Sequence, residues 1–318
     1  MRKIGEKEIR DILVGATFMG AGGGGSREQG IELLEKLKKE LGTVEVDLVS
    51  PEEMRPLEYA VMVAGIGAPK VLKERGFGPE AKYAFEAFRK VFSMSGRKVS
   101  YLMAGELGGF NTMVPIYVAA LEGLPFVDGD GNGRAVPELS TGLYPTYDIP
   151  PNPLVLANSK GTWVVAYLSD PLDHEEAEKV ARGICVSWDM VAAFCTWPVT
   201  GKEILECLAP GSVSRCEKVG KAFREVKESG GGLEELSKKL KELGSEEIFV
   251  GEISKIEVKT EGGFDFGVTY VKGTGKYEGS EMAIFFKNEN ILAKVNGKVK
   301  AVVPDLISIV DIESLIFL

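Results

Sequence analysis

Histidine is nearly missing from this chain of 318 residues: His174 is the only one, and Gln29 is the only glutamine. The first scarcity excludes most of the usual machinery for activating water or a nucleophile. A Ser-His-Asp or Cys-His arrangement needs a placed imidazole, and catalytic zinc takes histidine among its ligands. His174 lies in PLDHEEAEK, the first turn of an expected helix, and is expected at the surface. Any chemistry must then run on carboxylates, amides, Lys, Arg or a hard cation. Cysteine is also sparse. The four, at 185, 195, 207 and 216, include no C-x-x-C pair and are expected as small buried hydrophobes, with Cys195 or Cys216 as minor candidates for a reactive thiol.

Other absences narrow the partners. No run approaches the roughly 18 apolar residues of a membrane span. The opening MRKIGEKEIRD holds no apolar core of a secretory leader. A cytoplasmic protein with no membrane partner is expected. The net charge is −9, and lysine-rich runs such as Lys36–Lys39 sit beside Glu35 and Glu40, so no nucleic-acid partner is expected. Abundant Lys and Glu with a single Gln fit a thermophilic source.

What is present is enough chain for two domains and a sizeable core. The sequence is organised around Ala104–Tyr147. Val99–Met103 is an apolar run that turns polar at Gly105-Glu106. Two glycines and Asn111 follow, then an apolar helix pattern over Met113–Leu121. A second apolar run, Leu124–Val127, ends in Asp128-Gly-Asp130-Gly-Asn132-Gly-Arg134. This is strand, helix, parallel strand, polar loop, and in such sheets ligands bind outside the carboxyl ends of the strands. Glu106 and Asn111 belong to one such end, and Asp128, Asp130, Asn132, Arg134 and Glu138 to the next.

Residues 6–19 read as an amphipathic helix, followed by Gly20-Ala-Gly-Gly-Gly-Gly25-Ser26. The spacing satisfies G-x-G-x-x-G, yet a dinucleotide fingerprint must follow a strand, and here a helix precedes it. Ser26 and Gln29 form a capping box for the helix that runs to Leu41. Gly22, Gly23, Gly24 and Ser26 could offer backbone N–H groups to an anion or carbonyl; a plain turn fits the glycines equally. Val44–Val49, Tyr59–Ala64, Leu154–Ala157 and Trp163–Leu168 read as strands, and 79–94 as a helix. Helical patterns are expected over 173–194, 201–208, 212–229 and 233–243. From Glu246 onward the chain reads as β, with strands at Ile248–Val258, Phe264–Val271, Glu281–Phe286, Ile291–Val295, Lys298–Val302 and Leu306–Val310. Within it Lys287-Asn288-Glu289-Asn290 is read either as a turn or as site residues donated across an interdomain cleft.

The motifs GAGGGGS (20–26), GIGAP (65–69), GELGGFNTMVP (105–115), GLPFVDGDGNGRAVPEL (123–139), ANSKG (157–161), WPVTG (197–201), KTEGGFDFG (259–267), FKNENILA (286–293) and VPDLISIVD (303–311) run in order through nearly the whole chain. With them the chain resembles the DUF917 family, also called S-methyl thiohydantoin desulfurase-like or hydantoinase-associated. The resemblance implies an N-terminal α/β domain with a mostly parallel sheet over 1–170, a helical segment over 171–245 that covers or connects, and an antiparallel β-rich domain over 246–318. It implies further residues beyond the VPDL segment, whereas this sequence stops at Ser314-Leu-Ile-Phe-Leu318, a shortened and apolar C-terminus. The name-giving activity is hydrolysis of an S-methylated thiohydantoin to a hydantoin with release of methanethiol; other members sit beside hydantoinase- or oxoprolinase-type proteins.

Hydrolysis at a ring carbon between two nitrogens needs an activated water, donors for ring oxygens and an acceptor for ring N–H. Without histidine the base must be a carboxylate, its pKa raised by burial and a like-charged neighbour. Asp128 and Asp130 are two apart on extended chain and share a side, which suits a coupled pair. Arg134 is the candidate for charge stabilisation, and Glu106 for accepting a ring N–H. Asn111, Asn288 and Asn290, with Glu138 and Glu289, are the expected substrate contacts. No resident cofactor is expected. A divalent metal on Asp128, Asp130 and Asn132 is the weaker alternative: Glu138 falls at position 11, where a calcium loop wants 12. A small cyclic amide or amidine ring is thus the expected substrate. The alternative is a non-catalytic binding or regulatory subunit, with a homo-oligomer or a hydantoinase-like partner compatible with either.

Overall fold

The computed structural model describes residues 1–261 and 264–314. The apolar end at 315–318 and the glycine pair at 262–263 lie outside them. In chain order the first half runs β1 (Arg2–Gly5), α1 (Glu6–Met19), α2 (Arg27–Leu41), β2 (Glu45–Val49), β3 (Tyr59–Gly67), α3 (Pro69–Arg75), α4 (Pro79–Ser93), β4 (Val99–Ala104), α5 (Met113–Glu122), β5 (Phe126–Asp130), α6 (Leu143–Thr146), β6 (Leu154–Ala157) and β7 (Trp163–Ala166). Then come α7 (His174–Ser187), β8 (Val191–Thr200), α8 (Ile204–Cys207), β9 (Ala209–Pro210), α9 (Ser212–Ser229) and α10 (Leu233–Glu242). Five strands finish the chain: β10 (Gly251–Glu261), β11 (Phe264–Gly273), β12 (Glu281–Lys287), β13 (Glu289–Val295) and β14 (Lys298–Val302).

The first sheet has the order β1-β2-β5-β4-β3-β8-β6-β7, with β9 on β5. Its centre, β2-β5-β4-β3, is parallel. The near-continuous apolar runs of β3 and β4 are what a strand covered on both faces requires. Antiparallel strands extend this centre on both sides. One face is covered by α1, α2, α4, α5 and α9 around Ile12, Leu34, Phe85, Ile116 and Phe223. The other is covered by α6, α7 and α8 around Met62, Tyr144, Trp197 and Ile204. Helices α1 and α9 approach backbone to backbone: a Cβ on Gly15 would stand 1.8 Å from the Cys216 carbonyl oxygen, and one on Gly220 the same distance from that of Asp11. The second sheet is antiparallel, in chain order β10 to β14, over a small core of Val271, Met282, Ile284, Ala293 and Ile307.

Three expectations change. Residues 191–194, expected at the end of a helix, open β8, which lies between β3 and β6 in the first sheet. The run VAAFCTWPVT is apolar on both faces and short of charge, so its periodicity cannot separate a buried strand from a buried helix. Leu306–Val310 is not a ladder strand; its backbone is held instead by side chains, with Asn290 Nδ2 donating to the Ile307 carbonyl at 2.9 Å. His174 does open α7, but it is buried against Trp197, ring centroids 6.1 Å apart, and burial lowers its pKa. The cysteines are buried and free. Burial pushes the Cys185 thiol to about 11 and the Cys207 thiol to about 12, with Cys195 and Cys216 also raised, which removes the thiolate that reactivity requires. Among the described residues no helix is long and apolar enough to cross a membrane.

Candidate active site

The carboxyl ends of β3, β4 and β5 open into one cavity of about 1130 Å³, roofed by the second sheet. That volume lies slightly above the usual range for small-molecule sites, about 300–1,000 Å³. At the end of β4 the chain turns through Gly105, whose carbonyl accepts from Asn132 Nδ2 at 2.9 Å and from Gly131 N at 3.1 Å. Glu106 follows, in the cavity wall. One of its carboxylate oxygens accepts from Asn111 Nδ2 at 2.7 Å, the other from the Val136 N–H at 2.9 Å. Asn111 Oδ1 in turn accepts from Gly65 N, at the end of β3, at 3.2 Å. Two strand ends and a loop therefore fix one carboxyl. Burial pushes its pKa up to about 7, against the pull of those two donors, and the charge of Glu178 adds to the rise.

The second sheet supplies the facing carboxyl. The turn between β12 and β13 is held by Asn288, at φ 55°, whose side chain accepts from Asp265 N at 2.9 Å. It delivers Glu289, 3% exposed, to the cavity wall. One Glu289 oxygen lies against the glycine loop: a Cβ on Gly23 would stand 2.1 Å from Oε1. The other, Oε2, is buried with no hydrogen-bond partner among the described residues. Burial first, and then the charge of Glu106, push this carboxyl up to about 8, while Arg134 and Lys287 pull the other way. An unpartnered buried carboxyl is costly. Here it lines the same cavity as Glu106, whose charge contributes to its rise.

The glycine loop is a packing surface as well as a wall. A Cβ on Gly24, at φ 71°, would stand 2.3 Å from the Leu107 carbonyl, and the Gly24 carbonyl accepts from Asn111 N at 3.0 Å. Gly22, Gly23, Gly24 and Ser26 all line the cavity, and Ser26 caps α2 in the expected box with Gln29.

Three of the expected catalytic residues sit behind the wall. Asp128 accepts from Ser214 N at 2.8 Å and from the Ser214 hydroxyl. Asp130, fully buried, accepts from Ser212 Oγ at 2.6 Å and from Asn132 N and Gly133 N at 2.9 and 2.8 Å. Burial pushes it up to about 7. Both aspartates thus lie at the start of α9, where exposed N–H groups and the helix dipole favour negative charge. They share a side of β5 as expected; Asp128 caps α9 through the Ser214 N–H, and Asp130 holds the Ser212 hydroxyl and shapes the loop that presents Asn132. Their oxygens are taken by these donors, and this is why Asp128, Asp130 and Asn132 make a poor cation site. Among the described residues no three His, Cys, Asp or Glu side chains converge as metal ligands.

Arg134 donates to three carbonyls: Ala135 at 3.0 Å, Asp305 at 3.1 Å and Asn290 at 3.1 Å. It is a staple between the domains, and burial lowers its pKa. Asn290 supports the same seam, with its N–H donating to the Ala21 carbonyl at 2.9 Å. Glu138 and Asn288 line the cavity, Glu138 paired with Lys287. The sequence reading missed Tyr144, Glu178, Arg182, Phe194 and Trp197, which line it too. The only advance signal was Trp197 within WPVTG, and the misread β8 hid it.

The N-terminal domain of S-Me-THD-like proteins matches residues 7–167, and the C-terminal domain of the same proteins matches residues 172–316. An X-ray structure of a protein from Chromobacterium violaceum is similar over 100% of this chain and 85% of that one, at 25% identity and a TM-score of 0.83. No curated protein matches.

Proposed function

Because the chain belongs to the S-Me-THD-like family, we propose that it hydrolyses a small cyclic amide or amidine ring of the hydantoin or S-methyl thiohydantoin type, with Glu106 and Glu289 as the working carboxyls. The observation that carries this reading is the buried, unpartnered oxygen of Glu289 beside a Glu106 locked by Asn111 and Val136. With values near 7 and 8 the pair holds one proton in the neutral range. Glu106, the lower of the two, is the base: it takes a proton from water as the oxygen bonds to the ring carbon between the two nitrogens and the C=N electron pair moves onto the ring nitrogen. Glu289, the higher, is the acid: it gives its proton to the departing methylthio sulfur as that electron pair re-forms the C=N bond and the C–S bond breaks. Transfer of the remaining hydroxyl proton from oxygen to the ring nitrogen through water then leaves the hydantoin, with methanethiol as the other product. The proton on Glu106 then returns to Glu289, directly or through water. The backbone N–H groups of Gly22 and Gly24 suit a ring oxygen, that of Gly23 being donated to the Gly20 carbonyl at 3.1 Å. Asn111 is a positioning residue, since both ends of its amide are already engaged.

The test is methanethiol release from S-methyl thiohydantoins, and ring opening of hydantoins, by the isolated full chain. Turnover that survives a chelator supports carboxylate-activated water. Loss on chelation moves the reaction to a metal-activated water. Binding of such rings without turnover puts a binding or regulatory subunit ahead.

A further inference from the structure

The second sheet has two edges, and they differ. The short edge, β14, carries charge of one sign, Lys298 and Lys300, in five residues. Lysine on a short edge is a common guard against strand pairing. The long edge, β10, has 11 residues, pairs among the described residues only with β11, and is exposed along nearly its whole length. Its register with β11 is uninterrupted from Lys255 to Glu261. In that stretch, Lys-Ile-Glu-Val-Lys-Thr-Glu, one face carries Lys255, Glu257, Lys259 and Glu261. The other carries Ile256, Val258 and Thr260, with Ile256 56% and Val258 59% exposed.

We propose that β10 pairs antiparallel with β10 of a second copy of this chain, about a two-fold axis at Val258. In that register Lys255 faces Glu261 and Glu257 faces Lys259, each twice by symmetry, so every charge on the outer face meets its opposite. Val258 meets itself and Ile256 meets Thr260 on the inner face. Side chains opposite each other across antiparallel strands are the unit of sheet stabilisation, and like charges there repel. Moving the axis by one residue is unfavourable both ways. At Glu257 it sets Lys255 against Lys259, and at Lys259 it sets Glu257 against Glu261. The pattern therefore selects one register as well as one partner. The pairing joins two five-stranded sheets into one of ten. Val258 lines the cavity, so the partner's apolar strip would extend its rim.

Sedimentation velocity on the full chain tests this. The wild type should be a dimer at micromolar concentration. An all-acidic edge, Lys255→Glu with Lys259→Glu, and an all-basic edge, Glu257→Lys with Glu261→Lys, should each weaken dimerisation by about a hundredfold or more. Mixing the two variants should restore a dimer containing one of each. A wild type still monomeric at about 100 µM, or an all-acidic variant that stays dimeric, overturns the proposal. Variants that separate but do not recombine overturn the register.

Discussion

The end of β5 with the loop after it and the turn between β12 and β13 are both dense in polar residues, but they end differently. In the first, Asp128, Asp130, Asn132 and Arg134 engage Ser212, Ser214 and backbone groups, and the loop mainly holds itself and its neighbours in place. In the second, Asn288 and Asn290 hold the turn, and Glu289 keeps one oxygen without a partner against the cavity. A count of polar residues ranks the first loop above the second. Hydrogen-bonding capacity left unmatched ranks them the other way, and this capacity is what a substrate can use.

The most forceful way to break the comparison is to remove the carboxyls on each side. Glu106→Gln and Glu289→Gln should each lower turnover by about 100-fold or more. The wild-type profile of kcat/KM should be bell-shaped, with apparent values near 7 and 8 belonging to the pair. Glu106→Gln should abolish the acid limb and Glu289→Gln the alkaline one. Unchanged profiles in both variants would remove these residues from the chemistry.

Asp130→Asn should act on stability instead. The amide cannot accept from Ser212 and from two backbone N–H groups as the carboxylate does, so unfolding free energy should fall by about 1–3 kcal/mol. Turnover per folded molecule should stay within about tenfold of wild type. Denaturant titration with a parallel assay separates the two effects. A hundredfold loss of turnover without loss of stability would return Asp130 to the reaction.

The smallest effect is a pH dependence of stability. Folding raises the Glu289 pKa from an ordinary carboxyl value to about 8. Between those values the folded chain binds more protons than the unfolded one, so stability falls as pH rises through that window. Glu289→Gln removes this term. Its Tm should exceed that of the wild type by a few degrees at pH 8–9, and the gain should vanish toward pH 4.5. A Tm difference independent of pH would mean that Glu289 is not buried as a proton-binding group.

Much of the fold was legible because its signals are local. The apolar runs of β3 and β4, the Ser26–Gln29 box and the Val295-Asn-Gly297 turn each declare themselves within a few residues. The strand-end placement of Glu106 and Asn111 followed from the β4–α5–β5 pattern alone. The partners of the two aspartates were not legible, because Ser212 and Ser214 stand 82 and 86 positions away. A helix contact supplied from a distant strand leaves no local pattern in the sequence. Glu289 was legible as a turn residue or a substrate contact but not as a buried carboxyl, since burial and an unmatched oxygen are properties of the packed cavity.

Strand β8 also bears on where this chain can be divided. The two matched regions meet between residues 167 and 172, a boundary that invites cutting. Yet β8, at Val191–Thr200, belongs to the second region and fills the place between β3 and β6 of the first. Expressed alone, the first region would have a gap inside its sheet, with two apolar strands each facing an open edge. The halves matched by sequence are therefore not independent units of folding. Exchange between relatives at this boundary should succeed only when β8 travels with the sheet it completes.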